Sequence, residues 1–141
     1  MIGIELEING ISTDVIRKLF NKINIDLYDF IIYENEIIKK NENVDNVNAK
    51  NIFYNNINYS IIFLNLQLYR KQDKIKTIIT YDDFINSNCR LILLITDNRY
   101  LEIYFNDDFI KEKIISNLEK NGFNYTEKTI YNDGRTIMSV D

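Results

Sequence analysis

The side chains able to do chemistry in this 141-residue sequence are carboxylates, tyrosines, two turn arginines and one cysteine; there is no histidine. Without an imidazole, a Ser-His-Asp or Cys-His nucleophile pair cannot be assembled, and the commonest ligand of catalytic zinc sites is missing. General acid–base chemistry would fall to Asp, Glu, Lys or Tyr, each needing a shifted pKa near neutrality. The acidic candidates come in pairs: Glu5/Glu7, Asp82/Asp83 and Asp107/Asp108. The two Asp pairs stand at expected helix starts, where a carboxylate stabilises the positive end of the helix dipole and needs no further role. Glu5 and Glu7 share one face of a strand and could line a metal or carbohydrate site, or simply dress an exposed edge. Arg99 follows Asp97-Asn98 and Arg135 follows Asp133-Gly134. The two turns could bring both arginines together as an anion site, although surface turn chemistry accounts for each separately. Cys89 precedes an apolar run and reads as a small buried residue rather than a nucleophile. No catalytic residue, metal ligand or cofactor is assigned.

The glycines Gly3, Gly10, Gly122 and Gly134 are too scattered for a phosphate loop or a dinucleotide fingerprint. Residues 41–50 are rich in acids and amides but lack the spacing of a calcium loop. Ten Tyr and eight Phe without any Trp make the chain rich in aromatics. Tyr100 and Tyr104 are expected on the solvent side of their strand, with Tyr125 and Tyr131 joining them from a final hairpin. An outward tyrosine stripe suits a protein partner, because Tyr offers contact area at low entropy cost. The duller account is that Tyr favours strands, or that a loop covers this face.

These residues need a scaffold, and the hydrophobic periodicity supplies one. Ile2, Ile4, Leu6 and Ile8 alternate with Glu5 and Glu7, a half-buried strand. Ser12 is placed to cap a helix carrying the stripe Val15, Ile16, Leu19, Phe20 and Ile23. Residues 27–33 predict a strand with a hairpin partner over 36–39, and 39–50 an Asn-rich flexible loop within a single domain spanning 1–141. Strands are expected over 51–54 and 59–68, the latter apolar on both faces as in a sheet interior. Ile75, Ile78 and Ile79 suggest another short strand, and Thr80 begins a short helix. Residues 90–96 and 99–105 form a hairpin across Asp97-Asn98. Leu101, Ile103 and Phe105 should face in and Tyr100, Glu102 and Tyr104 out. Asn106 is expected to cap a helix over 107–120 with the stripe Ile110, Ile114, Ile115, Leu118, ended by Asn121-Gly122. A hairpin over 123–131 and 135–140 closes the chain. The pattern predicts an α+β fold: a mainly antiparallel sheet with two long helices and one short helix packed mostly on one face.

Composition narrows the setting. Ile and Asn are over-used as in an AT-rich coding genome, expected bacterial. The net charge of −4 argues against non-specific nucleic-acid binding. A lone Cys suits a reducing compartment. No signal-peptide pattern opens the sequence and no apolar run approaches a membrane helix, so a cytoplasmic location and no membrane contact are expected.

The run Thr80 to Asn106, TYDDFINSNCRLILLITDNRYLEIYFN, together with Ile2 to Phe20 and the closing GRTIMSV, resembles a small uncharacterised family of Gram-positive bacteria, domain of unknown function 2691. Residues 39–58 do not contribute. The resemblance implies a stand-alone cytoplasmic protein of spore-forming relatives, with no assigned activity and no catalytic residues to carry over.

Three functions follow in order. The first is a non-enzymatic protein-binding domain, immunity-type or regulatory, whose acidity suits a basic protein or toxin as partner. The alternative is a small-molecule-binding sensor with a pocket between sheet and helices. The third is an enzyme using carboxylates, which needs Glu5 or Glu7 to meet Asp97 in a cleft. Oligomeric state and strand order are not readable at this level.

Overall fold

A computed structural model describes residues 1–39, 42–43, 52–53, 59–129 and 137–138. The opening alternation forms β1 (Gly3–Glu7), with Ile4 and Leu6 buried on one face. Helix α1 (Ser12–Leu19) buries Val15, Ile16 and Leu19. Ser12 is not its cap: Ile11 holds that position without a side-chain bond. The buried Ser12 hydroxyl is spent on tertiary bonds, accepting from the Ile61 amide at 3.1 Å and donating to Asn98 Oδ1 at 2.6 Å.

A short 3-10 turn (Ile25–Leu27) leads into β2 (Tyr28–Lys39), one 12-residue strand where the sequence suggested two. Register irregularities at Ile32/Glu34 and Glu36/Ile37 absorb the polar Glu34-Asn35-Glu36 stretch without reversing the chain. The two-residue β3 (Glu42–Asn43) pairs back onto Ile38 and Lys39. The rest of the expected 39–50 loop lies outside the described residues. Ile52 and Phe53, expected in a strand, are helical and buried; Phe53 meets Phe20 edge-on at 4.9 Å.

Strand β4 (Ser60–Arg70) is interior, as its two apolar faces required. Residues 71–79 do not form the strand suggested by their isoleucines; Thr80 makes an isolated bridge to Ile137. Helix α2 (Tyr81–Ile85) starts in a capping box. The Asp83 carboxylate accepts from the amides of Ile79 and Thr80 at 3.1 and 2.9 Å, which holds its pKa below the ordinary carboxylate range. Strands β5 (Leu91–Thr96) and β6 (Tyr100–Phe105) flank Asp97 and Asn98, whose φ angles of 55° and 52° fit a type I′ turn.

Helix α3 (Asp108–Lys120) buries Ile110, Ile114 and Leu118. Its cap is Asp107, which accepts from the Ile110 amide at 3.0 Å, and not Asn106. The Asn106 amide instead donates to the carbonyls of Phe84, Ser87 and Cys89 at 3.2–3.4 Å, fastening the 84–89 segment to the end of β6. Strand β7 (Thr126–Lys128) pairs with β1, and Met138 donates its amide to Ile79. The turn of the expected final hairpin lies outside the described residues.

All strand pairs are antiparallel, in the order β3-β2-β4-β5-β6-β1-β7, so the fold is α+β. Helices α1 and α3 cover one face, over Ile4, Leu6, Leu64, Leu66, Leu93 and Ile103. Two of the three helices thus share one face and α2 packs on the other; of the two helices expected to be long, α3 has 13 residues and α1 only 8. Phe84, together with Ile78, Cys89 and Met138, closes over Tyr69, Ile92, Leu94 and Tyr104 on the opposite face. Tyr104 is therefore 0% exposed and Glu102 7%, although both were expected in solvent. In a half-buried sheet the polar parity marks the wet side; here that side is covered by a second layer. Replacing Tyr104 by Ala should cost about 3–5 kcal/mol in urea unfolding, whereas Tyr100→Ala at the half-exposed end of the same strand face should cost less than about 1 kcal/mol.

Candidate functional site

The second layer stops short of β1, and an open groove of about 520 Å³ lies there. Its walls come from β1 (Glu5, Leu6, Glu7), from Asn9, from Tyr100 and from residues 122–126 after α3. Period-two geometry puts Glu5 and Glu7 on one face, and antiparallel register sets Tyr100 directly opposite Glu7. The far wall depends on how α3 ends. Gly122 has φ of +67°, and the amides of Gly122 and Phe123 bond the carbonyls of Glu119 and Leu118 at 3.2 and 3.0 Å. This Schellman motif turns the chain back so that Phe123 and Tyr125 rest on the helix-side core while still lining the groove.

The β1–β7 ladder ends at Glu5–Thr126, but β1–β6 continues to Glu7–Tyr100. The groove occupies the fork where β7 has diverged and the β1 edge beyond Glu5 is left out of the ladder. Arg99 lies at its mouth: its guanidinium is 3.6 Å from Glu7 Oε1 and 5.2 Å over the Tyr100 ring.

Glu5 also joins the groove to a charge cluster missed by sequence reasoning. Glu5 faces Glu102 across the strands, and two carboxylates so placed repel. Lys128, opposite Gly3 on the other side of β1, separates them: Nζ is 3.5 Å from Glu5 Oε2 and 3.3 Å from Glu102 Oε2. Tyr104 donates its hydroxyl to Glu102 Oε2 at 3.0 Å, and Lys128 Nζ lies 5.8 Å from the Tyr104 ring centroid. Only strand order brings these residues together; once β1 lies between β6 and β7, parity arithmetic finds them all.

Of the four tyrosines expected on a binding face, Tyr100 and Tyr125 line the groove, Tyr104 is core, and Tyr131 lies outside the described residues. Arg135, the other half of the expected anion site, also lies outside them; Arg99 pairs with the Glu7 carboxylate and lies over the Tyr100 ring. Asp97 is exposed in its turn and does not line the groove; the carboxylate that Glu5 meets is Glu102. Asp107 both caps α3 and pairs with Arg70 at 3.3 Å. Among the described residues, no group of three or more acids or cysteines could hold a metal ion, and no helix is long and apolar enough to cross a membrane. Chemically, the groove offers carboxylates and aromatic faces, the surfaces that take ammonium and guanidinium groups.

An antiparallel α+β domain with an acidic, aromatic groove at its β1 edge is the class of protein that fold and geometry define. The chain belongs to the family described as "Protein of unknown function (DUF2691)", which matches residues 1–139. Over 83 residues, 58% of this chain, it is 35% identical to the Bacillus subtilis (strain 168) protein titled "Uncharacterized protein YncE", of which 54% is covered. Over an alignment 157 positions long that takes in 94% of this chain, it is 27% identical to the capsule K1-specific depolymerase of Klebsiella phage K64-1, of which 18% is covered. The chain thus spans about half of the first relative's length and less than a fifth of the second's. No solved structure matches.

The cluster makes a prediction about stability. Lys128→Met leaves Glu102 buried beside Glu5 with its cation gone and should cost on the order of 2–3 kcal/mol. The double variant Lys128→Met/Glu102→Leu should recover most of that loss in the same denaturation assay.

Proposed function

We propose that this protein is a non-enzymatic, cytoplasmic binding domain whose groove between β1 and residues 122–126 receives a basic protein, in the manner of an immunity-type or regulatory partner. The observation that carries the reading is the meeting of Glu5 and Glu7 with Tyr100, Phe123 and Tyr125 around one open space. Three aromatic side chains from two parts of the chain share a rim with two carboxylates on a domain of net charge −4. Aromatic anchors with a charged rim are the makeup of a protein-binding patch, and the acidic balance would speed encounter with a basic partner. The unextended β1–β7 ladder favours a polypeptide over a metabolite, because a sheet edge offers main-chain bonds to an extended segment.

Affinity capture with the intact chain should recover a stoichiometric basic protein, and Tyr125→Ala should weaken the purified complex about tenfold or more. Capture of the same partner at equal affinity by wild type and Tyr125→Ala refutes the groove as its seat. The groove's volume supports a second reading, a sensor of a small cationic molecule. A thermal-shift screen separates the two: a small amine that raises the melting temperature at millimolar concentration, without any protein partner, favours the sensor.

A further inference from the structure

Two residues that line the groove, Glu7 and Tyr100, already contact a cation, and it belongs to the protein itself. Arg99 enters β6 from a turn that leaves its backbone little freedom: its amide bonds the Thr96 carbonyl at 3.1 Å, and its own carbonyl accepts from the Ile8 amide at 2.6 Å. The side chain is under no such restraint. It is 61% exposed, as Glu7 is 56% exposed, so solvent screens their ion pair and the contact is weak. Its guanidinium nonetheless sits between the Glu7 carboxylate and the Tyr100 face, two groups that line the groove. A second cation near this face, Lys128, is 12% exposed and held between Glu5 and Glu102.

We propose that Glu7 and the Tyr100 ring form a seat for one guanidinium or ammonium group, occupied by Arg99 in the free protein and taken over by an arginine or lysine of an extended basic segment when the partner binds. This inference rests on the reading of the groove as the site for a basic protein. Arg99 is then an internal competitor. Its release removes only a screened, exposed contact, while the incoming cation finds a carboxylate and a ring already positioned for it. Swinging the arginine aside frees the Tyr100 face for the incoming cation.

The test is a titration of the intact chain with a short arginine- and glycine-rich peptide, using the same peptide with citrulline at every arginine as the neutral control. Arg99→Ala and Arg99→Gln should both bind the cationic peptide about fivefold more tightly than wild type, the size of one exposed ion pair plus one cation–π contact. Glu7→Gln should bind it more weakly, and the citrulline peptide should bind none of the variants appreciably. If wild type binds the peptide but both Arg99 variants bind equally or less tightly, the competitor role is overturned while the groove reading stands. If neither wild type nor any Arg99 variant binds, both fall. Binding by the Arg99 variants alone supports both, with the wild-type seat closed by its own side chain.

Discussion

The interior strands carry apolar side chains on both faces, and the protein has to cover its sheet twice. In β5 every residue from Leu91 to Ile95 is buried, so no rotation of that strand could put one side in water. Leaving either face open would expose several Ile and Leu side chains, each worth about 1.5–3 kcal/mol on burial. Helices α1 and α3 close one side. Residues 78–89 and Met138 close the other, pinned by Asn106 and by the Ile79–Met138 backbone bond. Some polar groups trapped beneath this second layer find partners there, although the buried Asn65 Oδ1 has none among the described residues. Tyr69 donates to Gln67 at 2.8 Å, and the Asn65 amide donates to the Met138 carbonyl at 3.2 Å. Burial pushes the Tyr69 hydroxyl well above its ordinary pKa, which keeps it a neutral donor at physiological pH.

The same constraint decides where the groove lies. The second layer covers β4, β5 and the far end of β6 and leaves β1 to its own charges. There the sheet face changes from Ile92, Leu94 and Tyr104 to Glu5, Glu7 and Tyr100 within two strands. Lys128 sits at that boundary, relieving the repulsion between the buried Glu102 and the more exposed Glu5. The groove is therefore the margin of a core: aromatic where Phe123 and Tyr125 lean on the helix-side packing, acidic where the covering layer ends. The groove is a consequence of incomplete coverage of the sheet.

Much of this was legible in the residues because local rules and tertiary demands agreed. The alternation in β1, the double-sided apolar run of β4, the Asp97-Asn98 turn, the short helix begun at Thr80 and the Gly122 terminus all stand as read. Two of the errors share one cause, that a polar side chain's nearest local use is not the one the fold makes of it. Ser12 and Asn106 were placed as helix caps, but both reach across the fold to hold distant segments, a choice invisible without strand order. Glu102 and Tyr104 follow strand parity faithfully, yet parity says only which side a residue faces, not whether that side is wet. Tyr100 and Tyr125 were found as aromatics at strand positions. Their meeting with Glu5 and Glu7 depends on β7 lying beside β1, which no single-strand pattern encodes.

Cys89 is the most direct reporter on the central claim that a second layer seals the sheet. Its thiol is fully buried under that layer, and burial pushes its pKa up to about 12. In native buffer at neutral pH a thiol reagent should label Cys89 only at the rate of opening, and a urea series should show labelling rising together with global unfolding. Rapid stoichiometric labelling of the folded protein, at the rate of a free thiol, would contradict the two-layered core.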